Sequence, residues 1–192
     1  MVMRPATESE MDQVLKWFHL TPQGGSPQVV VNDQTGEYSI FYADVSLRKD
    51  HEQIPIPLAE ISHSFFAANM GLRTLQNSPR KVGKAFAVNH NQLTSLQGAP
   101  DSVGSYMVIS HNPKLNSLDH LPTHIQGILH LDYKWDMPLL RTLVAQAGVD
   151  FGKWAPEPVI QILNKYAGGG KLVMLNCALE LKKAGHAENA RW

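Results

Sequence analysis

Apolar and polar positions alternate in short runs through the middle of the chain, and the runs recur. They read Phe65-Phe66-Ala67, Phe86-Ala87-Val88, Met107-Val108-Ile109 and Leu129-His130-Leu131. In every copy the first and third residues are apolar, which is the period of a strand with one face in a core. Two further patterns keep step with the runs. One is Pro-x-x-(Val/Ile), at Pro79-Val82, Pro100-Val103 and Pro122-Ile125, with a stretched version at Pro57-Ile61. The other is Leu-x-(Ser/Thr)-Leu, at Leu72-Leu75, Leu93-Leu96, Leu115-Leu118 and Leu140-Leu143. The prolines are spaced by 22, 21 and 22 residues and the leucine motifs by 21, 22 and 25. Independent marks sharing one period define a repeat.

Three residues beyond the run, the two middle copies place Asn91 and Asn112. The frame is therefore apolar-x-apolar-x-x-Asn-x-Leu, the core of a leucine-rich repeat. Its physics is that of a coiled solenoid. Each coil is expected to offer one short strand, and the coils stack at about 4.8 Å into a parallel sheet. Leu93, Leu96, Val82, Phe86 and Val88 then share a core column with their counterparts. Asn91 and Asn112 are expected to act as structural turn residues, spending their amides on the turn and on the next coil. Met70 and Lys134 stand where the outer coils should carry Asn, and Tyr133–Pro138 is inserted before the last leucine motif. Three coils follow the frame closely and a fourth is irregular.

The stretch FAVNHNQLTSLQGAPDSV, Phe86 to Val103, resembles the leucine-rich-type repeats of small tailed-bacteriophage proteins. Those run as Phe-x-Cys-Ser-x-Asn-x-Leu-Thr-Ser-Leu-x-Gly-x-Pro-x-x-Val. The lead-in is similar too, with a short helix, a hairpin carrying Gly36, an Asp44–Leu47 strand and Ile54-Pro55-Ile56. So is the ending, Ile162–Gly168 followed by a further helix. The likeness covers roughly residues 28 to 192 and departs at Val88-Asn89 and Ile109-Ser110, where the family has Cys-Ser. It implies a solenoid of phage origin, placed in the host bacterial cytoplasm or in a virion, and transfers no catalytic residue.

The flanks read as caps. Thr7-x-x-Glu10 is a capping box, followed by Met11, Val14, Leu15 and Phe18 at helical spacing, so a helix is expected over about 7–19. Val29–Val31 and Tyr38–Tyr42 flank the loop Asn32–Gly36 and predict a hairpin. After Pro156, Val159, Ile160, Ile162, Leu163 and Tyr166 predict a helix ended by three glycines. A second helix from about Lys171 is expected to have Leu172, Leu175, Ala178 and Leu179 on one face. The expected organisation is an α/β repeat fold: a helix and hairpin cap over 1–56, coils over 57–143, and a two-helix cap over 144–192, in one folded unit.

Charge narrows the function classes. Lys plus Arg and Asp plus Glu both total 17, so the formal net charge is zero. A nucleic-acid binder needs a cation surplus to displace counterions, and so does a polybasic membrane-surface protein. Neither partner is expected. With one cysteine, Cys177, no intrachain disulfide can form, and no apolar signal-peptide core follows the N-terminus. A reducing cytoplasm is the expectation.

Candidate chemistry is sparse. Gly168-Gly169-Gly170-Lys171 lacks the preceding strand and following Ser or Thr of a phosphate loop, so a helix-to-helix turn is expected. Cys177 could serve an effector-like enzyme, but it sits mid-helix among apolar residues with no acid–base pattern nearby. Pro122 removes the helical meaning of His120-x-x-x-His124. No catalytic residue, metal or cofactor is expected. The outward strand positions offer more: Phe66, Asn69, Asn89, His90, Val108, His111, His130, Asp132 and Tyr133 line up from coil to coil. Aromatic, imidazole and amide groups with few charges fit a protein-contact surface. The expected function is binding rather than catalysis: a phage-type module engaging a host factor through this face or the helical tail, with a virion component as the alternative.

Overall fold

Two strands per coil build the molecule, which a computed structural model describes over residues 2–192. The sequence pattern predicts one. The second arises because the Val or Ile of the proline mark also joins a parallel ladder. On one side β6 (Leu58–Ile61), β8 (Lys81–Val82), β10 (Ser102–Val103) and β12 (His124–Ile125) stack in order. On the other stand β7 (Phe65–Phe66), β9 (Phe86–Ala87), β11 (Met107–Val108) and β13 (Leu129–His130). Register is exact to the repeat: Val82 lies beside Val103, and Phe86 beside Phe65 and Met107. All these side chains are buried, as are Leu93 and Leu96, so each coil completes its neighbour's core. The Phe65 and Phe86 rings stack at 5.6 Å.

Parallel pairing continues past both ends of the 57–143 stretch. β4 (Tyr38–Phe41) lies parallel to β6 and β5 (Ala43–Leu47) parallel to β7, so the hairpin region already forms a coil. At the far end β14 (Val149–Asp150) adds to β13, and Ala145 bridges to Ile125. The result is an α/β repeat solenoid with helical caps.

Antiparallel strands cover the N-terminal edges, where exposed backbone would otherwise invite further pairing. β3 (Gln28–Asn32) pairs with β4, and β1 (Met3–Pro5) pairs with β3. The helix α1 runs over Glu8–Trp17 with the Thr7–Glu10 capping box formed. It stops short of 19 because Phe18 turns into β2 (Phe18–Pro22), which pairs with β5 and buries the Phe18 ring against Phe65.

At the C-terminal end α2 (Glu157–Lys165) follows β14, and the glycine turn leads through a single 3-10 turn, Gly170–Leu172, into α3 (Met174–Lys183). Of the expected face only Ala178 packs against the core. Cys177 and Leu181 are buried, with Val173, Met174 and Ala178 packed beside them. Leu172, Leu175 and Leu179 point away from the core, at 95%, 70% and 47% exposure. The segment carries two apolar stripes, and the 3-10 turn orients the Val173–Cys177–Leu181 stripe inward. No helix among the described residues is long and apolar enough to cross a membrane.

Candidate functional site

The strands of the second sheet fix the outward residues in two columns. Phe66, Ala87, Val108, His130 and Asp150 stand side by side in the first. Just past the strands, Asn69, His90 and His111 each adopt a left-handed backbone, with φ of 58°, 55° and 57°. Asn and His tolerate that region better than most side chains. The Asn69 N–H donates to the Asn89 carbonyl and the His90 N–H to the Ser110 carbonyl. In the next coil the acceptor changes: the His111 N–H donates to the Asp132 carboxylate at 2.6 Å. The His90 and His111 rings then stack with centroids 4.1 Å apart and planes 16° from parallel.

Buried asparagines hold these turns rigid from behind. Asn91 accepts from the Met70 and Leu72 N–H groups and donates to the Ala67 and Val88 carbonyls. Asn112 accepts from the Leu93 N–H and donates to Val88 and Ile109. The carboxamides therefore reach the preceding coil, not the next one. That direction follows from the Asn lying inside its own turn, facing the carbonyls that the earlier strand leaves free. Where Asn is missing, Lys134 takes its place, its ammonium donating to the Pro113 and Leu115 carbonyls of the preceding coil. Asn189, from beyond α3, completes the end by donating to the Lys134, Trp135 and Met137 carbonyls and accepting from the Tyr133 hydroxyl at 2.9 Å. Burial pushes that phenol's pKa up.

This end of the stack opens into a cleft of about 590 Å³. His111 and Asp132 form one wall, Tyr133 and Phe151 the floor, and Lys153 and Trp154 the rim. Tyr133 and Phe151 meet edge to face at 5.8 Å. Gly152, at φ 65°, turns the chain after Phe151, and its N–H donates to the Asp150 carboxylate. The turn leaves Trp154 standing 87% exposed.

Of the residues singled out in the sequence, the structure brings His111, Asp132 and Tyr133 together in the cleft, with His90 stacked one coil away. His130 falls in the neighbouring column, where its Nδ1 shares a hydrogen bond of 3.1 Å with Asp150 and its ring meets the edge of Tyr106. Phe66, Asn69, Asn89 and Val108 lie along the ladder outside the cleft. Phe151, Trp154 and Asn189 were missed, since all three lie beyond the last recognisable repeat. The alternating Val149–Phe151 run was the available signal.

Among the described residues no group of three His, Cys, Asp or Glu side chains converges as a metal site would require. Cys177 is fully buried, and burial, with Glu180 adding to it, pushes its thiol up to about 11. Comparison with protein-family models, curated proteins and solved structures finds no match.

Proposed function

We propose that the chain is a non-catalytic protein-interaction module whose docking surface is this cleft together with the His90–His111 stack. The observation that carries the reading is the exposed Trp154 beside a preformed pocket lined by His111, Tyr133 and Phe151. Aromatic anchors around a concave apolar floor, with a single carboxylate at the wall, are the composition of binding hot spots. Backbone and carboxamide bonds fix the walls in advance, so little ordering entropy is lost on docking. The resemblance of the repeats to small phage proteins makes a bacterial host protein the expected partner and the host cytoplasm the expected compartment. The protonated, buried Cys177 supports binding over a thiolate mechanism.

The test is affinity capture from a bacterial host lysate with the wild-type chain and a His90→Asn/His111→Asn/Trp154→Ala variant. All three side chains are exposed, and Asn suits the left-handed backbone at positions 90 and 111, so the variant keeps its fold. One stoichiometric partner recovered by the wild type and lost by the variant is the expected result. A partner retained by the variant contradicts the reading.

A further inference from the structure

The outward leucine stripe that runs from the 3-10 turn onto α3 is a second surface that the cleft does not explain. Leu172, Leu175 and Leu179 recur at helical spacing and stay in solvent although the helix is firmly seated by Cys177 and Leu181. Exposed leucines in a continuous stripe mark a contact surface rather than ordinary surface scatter. The charges around it have one sign. Lys171 precedes the stripe, and Lys182 and Lys183 follow it by one turn. Glu180, the acid of this helix, is already engaged, accepting from Lys165 at 2.6 Å and from the Tyr166 hydroxyl at 2.7 Å. Beside Leu172, a notch of about 360 Å³ is walled by Trp192, Arg141 and Lys171, with Arg141 lying 5.1 Å over the Trp192 ring and also paired to Asp119.

We infer that this face docks an acidic amphipathic helix of a partner protein, its apolar residues meeting the three leucines and its carboxylates meeting Lys171, Lys182 and Lys183. A helix laid on a leucine stripe is read by anchors at i, i+3 or i+4, and i+7. Self-pairing of two copies would set the lysines of one face against those of the other, which like-charge repulsion opposes. A lipid surface is flat, whereas the notch beside the stripe is concave, so an inserted side chain reaches into it. The inference is independent of the cleft, because α3 and the cleft share no lining residue.

The probe is a fluorescent synthetic helix in which leucines at that spacing alternate with glutamates, set against the same helix with lysines for glutamates. Expected is binding of the acidic helix alone, weakening with salt. A Leu172→Ser/Leu175→Ser variant abolishes it, and Lys182→Glu/Lys183→Glu reverses the preference toward the basic helix. Both variants change exposed positions, and an unchanged circular-dichroism melt confirms their fold. Failure to bind the acidic helix, or equal binding of both helices, overturns the inference. So does leucine-dependent binding to phosphatidylglycerol vesicles, or leucine-dependent dimerisation in sedimentation equilibrium. Capture through the cleft, tested with the His90, His111 and Trp154 variant, would stand in each of those cases.

Discussion

At Asn112 one carboxamide is bonded to the backbone of two coils, accepting from Leu93 and donating to Val88 and Ile109. Asn112→Ala leaves the buried Leu93 N–H and Ile109 carbonyl without that partner, while Val88 keeps its bond from Asn91, at a cost of roughly 3 kcal/mol or more in total. For a chain of this length that is a fall in Tm of about 6 °C or more; a fall under about 2 °C would show that the turn re-pairs without its carboxamide. Gly104 is needed for a different reason. A Cβ there would lie 2.1 Å from the Gly83 carbonyl oxygen, because the coils pack backbone to backbone at this corner. Gly104→Ala is therefore expected to destabilise by about 1–3 kcal/mol through overpacking. Gly25→Ala is the control, since its Cβ would meet only the Tyr42 ring at an ordinary 3.7 Å. Equal melting temperatures for the two variants would contradict the steric account.

Among the elements, α1 is tied to the first sheet through charge. Arg4, on β1, donates to both Glu10 carboxylate oxygens at 2.7 Å and to Asp33 in the hairpin turn. The Arg4 hydrogen bonds, then the Thr7 N–H, pull the Glu10 carboxyl from its ordinary 4.5 down to about 2. A depressed carboxyl stabilises the fold above its unfolded pKa, and that contribution is lost as pH falls through the folded value. The Tm gap between wild type and Glu10→Gln is thus expected to be constant at neutral pH, to narrow below about 4.5 and to close near 2. A gap that persists unchanged to pH 2 rules the network out as its source. The pair is partly exposed, so high salt should shrink the gap as well.

The capping box of α1 was legible in the sequence because it is local: Thr7 and Glu10 satisfy each other three residues apart. The face of α3 was not. Leu172, Leu175 and Leu179 form as good an apolar stripe as Val173, Cys177 and Leu181, and periodicity cannot rank two stripes on one helix. The one-turn 3-10 segment before Met174 ranks them, and it depends on how the glycine turn meets the solenoid. The short strands β1 and β2 were equally hidden, since they are defined by partners, Val30 to Asn32 and Ala43 to Leu47, far along the chain.

For the molecule as a whole, the period of 21 or 22 residues foretold the stacking and placed the inner and outer columns. It did not foretell the second sheet, because a two-residue strand has too little alternation to announce itself. Nor did it foretell the ends, where coils recruit substitutes with no repeat signature: Lys134 and Asn189 for the ladder asparagine, and β2 beside β5, although the hairpin of β3 and β4 was legible from its own alternation. The cleft is a product of that termination. It exists where the stack stops repeating, between the last histidine of the column and the turn after Phe151. Half of the cleft was therefore visible in the sequence as His111, Asp132 and Tyr133. The other half came from a segment past the final repeat.

Site-specific photo-crosslinking in bacterial cells asks whether the proposed docking cleft meets a partner. A photoreactive phenylalanine replaces Trp154 in one chain and Lys81, exposed on the opposite sheet, in another. One discrete protein adduct is expected from position 154 and none from position 81. No adduct from position 154, or the same adducts from both positions, would contradict the proposal.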